Sequence, residues 1–178
     1  MIEESSGSQT AYVNVSEVAP GNEGFHAFVE LFGEYRAHYG QAKDLLRSEA
    51  WLLDAITRGP MRGFLADVDA VAAGICLIAV CPASLALGEF WMVRDIFVDP
   101  RWRRTGVARA LLDAVRAAAR GHGALRLTLQ TENDNVAALR LYEQYGFGPV
   151  TGLRHLTLAL APTGEVNDRR SSEIANAD

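Results

Sequence analysis

The chain has 178 residues, 49% of them hydrophobic and 22% charged, with a formal net charge of −5; this describes one folded domain with enough apolar material for a sizeable core. No apolar run reaches the length of a membrane span, and the polar stretch from Met1 to Thr10 has neither the basic nor the apolar part of a secretion signal, so a cytoplasmic chain without a membrane partner is expected. The acidic balance argues against a nucleic-acid partner, and the two cysteines, Cys76 and Cys81, have no His or Cys cluster around them at ligand spacing, so no metal site is expected and both read as buried thiols.

Residues 1–10 are expected to be disordered, and residues 11–18 predict a first strand with Val13 and Val15 on one face. Gly21-Asn22-Glu23-Gly24 breaks the chain before a helix. Phe25, Phe28, Val29, Phe32, Tyr35, Arg36 and Tyr39 recur there at helical spacing, which buries one stripe and leaves Glu30 and Glu34 to solvent. Gly40 stops this helix, and Asp44 caps a second one whose apolar face is Leu45, Leu52, Leu53 and Ile56, ended by Gly59-Pro60. Residues 63–67 and 71–80 predict a hairpin around Val68-Asp69-Ala70. Its second arm is continuously apolar, as a central strand covered on both faces would be, and Cys81-Pro82-Ala83-Ser84 ends it.

Residues 89–98 form the next predicted strand, which breaks at Asp99-Pro100, passes through an arginine-rich loop and becomes a helix at about Thr105 or Gly106. Between positions 94 and 109 there are five arginines (94, 101, 103, 104, 109) and two aspartates (95, 99), so basic charge is concentrated here in an otherwise acidic chain. The small residues Gly106 and Ala108 let the main chain approach a ligand closely. The N–H groups of the helix start lack intrahelical acceptors and lie at the positive end of the dipole, where a pyrophosphate would satisfy both. The helix over residues 106–120 buries Val107, Leu111, Val115 and Ala118, keeps Arg109, Asp113, Arg116 and Arg120 in water, and ends at Gly121. Leu125, Leu127 and Leu129 alternate along the parallel strand that should follow. Asp134 or Asn133 caps a last helix with Ala138, Leu141, Tyr142 and Tyr145 on its stripe, and residues 147–150 and 154–160 predict two closing antiparallel strands. From Ala161 onward almost nothing is apolar, and a disordered tail over residues 161–178 is expected.

Arg103-x-x-Gly106-x-Ala108 resembles the cofactor-binding motif of the GNAT superfamily of acyl-CoA-dependent N-acetyltransferases, Gln/Arg-x-x-Gly-x-Gly/Ala after a strand. Asn135-x-x-Ala138-x-x-Leu141-Tyr142-x-x-x-Gly146-Phe147 resembles that superfamily's second motif, at the expected distance downstream. The resemblance implies an α/β (α+β) N-acetyltransferase domain over residues 11–160. Its twisted sheet of about seven strands is mixed but mostly antiparallel, with a parallel pair splayed open around the pantetheine arm of acetyl-CoA and about four flanking helices. By resemblance the cofactor would meet Ile96, Phe97, Val98, Arg103, Arg104, Thr105, Gly106, Val107, Ala108, Asn135 and Tyr142, with the Ile96 N–H serving the oxyanion and Val98 pairing with pantetheine amides. The two N-terminal helices would shape the acceptor pocket, making Tyr35, Arg36, Tyr39 and Gln41 candidates for substrate contact.

Acetyl transfer to an amine requires a base, because holding a lysine-like amine of pKa about 10.4 deprotonated near pH 7 costs roughly 4–5 kcal/mol. Asp95 is the first candidate and Glu89 the second. Many relatives carry a carboxylate or histidine one residue earlier, where this chain has Arg94; that substitution points to an anionic acceptor or neighbouring group. Tyr142 is the candidate acid for the departing thiolate. The leading expectation is an N-acetyltransferase acting on a small-molecule amine through direct attack in a ternary complex. A protein lysine or N-terminal acetyltransferase and a non-catalytic acyl-CoA-binding module stand as alternatives, and the resemblance also allows a homodimer.

Overall fold

A computed structural model describes residues 12–158 and 160 of the chain; the expectations for residues 1–10 and 161–178 lie outside the described residues. Nine main elements follow in order: β1 (Val13–Val18), α1 (Glu23–His38), α2 (Leu45–Thr57), β2 (Met61–Val68), β3 (Val71–Ala83), β4 (Gly88–Val98), α3 (Val107–Gly121), β5 (Leu127–Leu129) and α4 (Val136–Gln144). The strands make one sheet in the order β1-β2-β3-β4-β5, antiparallel throughout except for the β4–β5 pair, which is parallel.

Local chemistry sets most of the boundaries. Asn22 accepts the Phe25 N–H (3.0 Å) and Asp44 the Arg47 N–H (3.0 Å), the side-chain caps that α1 and α2 need. The β2–β3 turn is tighter than its three predicted residues: Val68 pairs with Val71, and Asp69 and Ala70 both adopt positive φ (49° and 64°), as a two-residue hairpin turn requires. β3 continues past its expected stop at Cys81-Pro82 to Ala83. Pro82 is tolerated because its ring nitrogen, like the Val80 N–H that bonds the Pro60 carbonyl (2.8 Å), points to the β2 side, and β2 does not extend past Met61.

The sheet separates two cores. On one face α3 and α4 cover Ile78, Trp91 and Val93 with Val107, Leu111, Leu112, Val115 and Tyr142. On the other, α1 and α2 cover Leu65, Ile75, Leu77 and Phe97 with Phe28, Phe32 and Leu52. The apolar run in β3 is therefore buried from both sides, as its composition predicts. The α2 face is narrower than expected, since Leu53 is exposed while Leu52 is fully buried. In α3 it is Ala119 that is buried, Ala118 being only partly so. Residues 147–150 and 154–158 form no strand, which corrects the expected count of about seven to five among the described residues. Gly148, Pro149 and Gly152 break the segment, and β5 offers only three residues to pair with. Leu153, Leu156 and Leu158 are accordingly left exposed.

Candidate active site

The site is produced by an irregularity in β4. Leu77 pairs with Asp95 but Ile78 pairs with Val93, so Arg94 is an extra residue that bulges out of the ladder. The bulge reverses which face each side chain takes. Before it, Trp91 and Val93 point into the α3 core; after it, Phe97 points into the α1 core, and Asp95, two residues earlier, shares its side. Pairing with β5 stops at the same place, its last pair being Val93 with Leu129. Asp99 donates its N–H to the Ala73 carbonyl (3.0 Å). In the alternation of an antiparallel ladder, Phe97 and Asp95 therefore also turn their main-chain groups toward β3, and Ile96 and Val98 turn theirs into the gap where β5 has parted from β4.

Tyr35, Tyr39, Arg94, Asp95, Glu132 and Tyr142 line a cleft of about 110 Å³ at this fork. Tyr35 Oη donates to Asp95 Oδ1 at 2.5 Å. The Tyr35 ring is itself held against Phe32 (5.9 Å), Tyr39 (5.1 Å) and Phe97 (6.0 Å between centroids), so the aromatic end of α1 fixes the carboxylate on β4. Tyr142 is buried on α4 with its ring edge-on to Phe147, and burial, with smaller contributions from the nearby Cys76, Tyr39 and Glu132, pushes its phenol up to about 12. Burial likewise raises the Cys76 thiol, which lies in the sheet beneath.

Three candidates fall elsewhere. Glu89 is not in the cleft; its carboxylate accepts the Trp91 indole N–H (3.0 Å) six residues back along β4. Arg36 donates to the buried Ser48 hydroxyl (3.0 Å), tying α1 to α2, and with Gln41 faces a different hollow beside Trp51. Asn135 is the N-cap of α4, accepting the Ala138 N–H (3.2 Å), in place of the expected Asp134 or Asn133. The cleft also contains Gln130, Thr131 and Glu132, which sequence reasoning missed. Their signal was position: they follow directly on the carboxyl end of a parallel strand, where open sheets bind ligands.

Next to the fork, a groove is lined by Val98, Trp102, Arg103, Arg104, Gly106, Val107 and Ala108 on one side and Ala137, Ala138 and Leu141 on the other. Asp99 begins the loop by accepting the Arg101 N–H (2.9 Å) and its guanidinium, and Arg101 holds the Asp99 carboxyl below its usual range. Thr105 Oγ1 donates to the Trp102 carbonyl (2.6 Å), and Arg103 Nε to the Val98 carbonyl (3.2 Å). Gly106 has φ 97°, a conformation that favours glycine, and a Cβ there would meet nothing within 4 Å. Ala110 is the first residue of α3 to bond back, to the Gly106 carbonyl (3.0 Å), so the N–H groups of Val107, Ala108 and Arg109 have no acceptor within the helix.

Residues 25–147 match the Acetyltransferase (GNAT) family. The chain belongs to that family. It is an acyltransferase, and family members generally use acetyl-CoA. It is 34% identical over 132 residues to the uncharacterized N-acetyltransferase YhfO of Bacillus subtilis (strain 168), spanning 74% of this chain and 89% of that one. The crystal structure of a probable acetyltransferase superposes with a TM-score of 0.77 at 28% identity, covering 84% of this chain and 99% of the other. An aminoglycoside acetyltransferase from an uncultured soil metagenomic sample, crystallised with sisomicin, shares the fold (TM-score 0.72, 16% identity, 83% and 96% covered).

The residues present fit an acyl-CoA. The cleft offers the outward-turned main chain of Ile96, and the groove beside it offers that of Val98, the three unpaired N–H groups of the α3 start, and the Trp102 indole N–H, which is buried with no acceptor among the described residues. No group of three or more His, Cys, Asp or Glu among the described residues could hold a metal ion, and no described helix is long and apolar enough to cross a membrane.

Proposed function

We propose that this acyltransferase acetylates a primary amine of a small molecule, taking the acetyl group from acetyl-CoA within a ternary complex. The observation that carries the reading is the coincidence, where β4 and β5 part, of the Tyr35-held Asp95 carboxylate, the buried Tyr142 phenol and the outward-turned N–H groups of Ile96 and Val98. Val98, Trp102 and residues 103–108 would hold the coenzyme, Arg103 and Arg104 providing positive charge beside the N–H groups of the α3 start. Asn135, whose amide nitrogen its capping role leaves available, would add a donor at the rim. The coenzyme supplies the acetyl group as a thioester, a carbon electrophile with a good leaving group.

The protein's own residues then manage charge and protons. The acceptor enters as an ammonium and gives one proton to Asp95, directly or through water, to expose its lone pair. The nitrogen forms its bond to the acetyl carbon as the carbon–sulfur bond breaks, the electron pair leaving with sulfur. Nitrogen loses its second proton, sulfur gains one, and one proton in total goes to solvent. The Ile96 N–H would stabilise the negative charge that develops on the carbonyl oxygen, a contribution of about 3–4 kcal/mol for a donor of this kind. With its pKa near 12, Tyr142 keeps its proton at neutral pH. It is also a much weaker acid than a thiol of pKa about 8.5. Its role is therefore to donate a hydrogen bond to the departing sulfur, with solvent completing the transfer.

Thiol release from acetyl-CoA, followed over a panel of amino acids, polyamines, aminoglycosides and peptides, tests the reading. Turnover of small amines is expected, with Tyr142→Phe lowering kcat at least tenfold and leaving coenzyme A affinity nearly intact. Turnover of peptides alone, or none with any amine, would contradict it.

A further inference from the structure

The charges of the acceptor cleft say what else the acceptor carries, on the footing that the cleft is where acetyl transfer occurs. Asp95 comes from β4 and Glu132 from the segment after β5, so two carboxylates serve the side on which an ammonium must arrive and lose its proton. Among the described residues lining the cleft, Arg94 is the one cation. Other arginines have partners inside the protein: Arg62 pairs with Glu17, Arg101 with Asp99, Arg116 with Asp113, and Arg103 bonds the Val98 carbonyl. Arg94 has no such use. It is exposed, its Nη1 is 3.7 Å from Met92 Sδ, and it forms no ion pair among the described residues.

The backbone makes this placement specific. Arg94 is the extra residue of the bulge, so the irregularity that turns Asp95 toward Tyr35 also sets an exposed arginine one residue away, in the lining of the same cleft. A guanidinium held close to a binding site and not spent on a protein carboxylate is suited to a planar anion, which it can take in two parallel hydrogen bonds. Size narrows the choice further: at about 110 Å³ the cleft is well below the ~300–1,000 Å³ of sites for drug-sized ligands. A polyamine or aminoglycoside would present Arg94 with further positive charge, and most of an aminoglycoside would lie outside.

We propose that the acceptor is a small amino carboxylic acid, its amine directed to Asp95 and its carboxylate gripped by Arg94. The nitrogen becomes the amide and the carboxylate passes through unchanged, so Arg94 contributes to binding and orientation and to no proton step. Its contribution should appear in KM more than in kcat.

The test compares free amino acids, β-alanine included, with their carboxamides, which keep the amine and lose the anion. For the wild-type enzyme kcat/KM should be at least tenfold higher for acid than for amide. In Arg94→Gln that ratio should fall to near one, through KM, and Arg94→Lys should restore part of it. A ratio near one in the wild type, or one unchanged in Arg94→Gln, would overturn the proposal. Binding of the acids to the enzyme with coenzyme A, by titration calorimetry, separates this inference from the transfer reading. Acid binding that is lost in Arg94→Gln, without turnover, would uphold the carboxylate site and sink the reaction; no binding of any acid would sink the site itself.

Discussion

A single buried phenol links the site to the stability of the fold. Burial in the α3–α4 core holds Tyr142 neutral, its pKa near 12 against about 10 for a free phenol. In the folded protein Tyr142 thus keeps a proton that the unfolded chain gives up between about pH 10 and 12. Its stabilising contribution is fully present below pH 10 and is lost as pH rises through that window, an effect of roughly 2–3 kcal/mol at 1.36 kcal/mol per unit. Urea unfolding of the wild type and Tyr142→Phe at pH 9 and at pH 11.5 isolates it, because phenylalanine does not titrate. The stability of wild type relative to the variant should fall by about 1–3 kcal/mol between the two pH values; a constant difference would mean the phenol ionises as it does in water.

At the scale of elements, the groove depends on α3 lying close against β3. Gly74 makes the approach possible: a Cβ there would stand 2.8 Å from Val107 Cγ1 and 2.9 Å from the Phe97 carbonyl oxygen. The second contact is with main chain, which cannot rotate away, so Gly74→Ala should destabilise the fold by about 1–3 kcal/mol as read by the urea midpoint. A variant as stable as wild type would show that α3 is free to shift. Much of this layer was legible in sequence: the strand, loop and helix around Gly106, the apolar run of β3, the chain break before α1, the Asp44 cap of α2, and the two motifs that locate the fork. What could not be read depended on partners distant in the chain. The bulge at Arg94 exists only in register with Leu77 and Ile78, so nothing local showed that Asp95 would meet Tyr35. Arg36 shares a helical stripe with Tyr35 yet is drawn to Ser48 on the next helix, and Glu89, chosen for its chemistry, lies two residues before Trp91, where pairing with β5 begins, and so away from the cleft at the other end of that ladder. Apolar alternation near residue 156 suggested a strand, but alternation records what a strand would bury and does not supply an edge to pair with.

For the molecule as a whole, two separately filled cores clamp one sheet, and its single parallel pair comes apart within the span that both cores hold rigid. Unpaired main chain inside a packed fold is costly unless something completes it. In the proposed function, coenzyme A completes the edge of β4 and the start of α3. Backbone amide shifts of the 15N-labelled protein on titration with coenzyme A test this most directly. The largest changes are expected at Ile96, Val98 and residues 107–109, with the Trp102 indole N–H shifting alongside them. Saturable binding whose shifts lie elsewhere, with these amides unmoved, would contradict it.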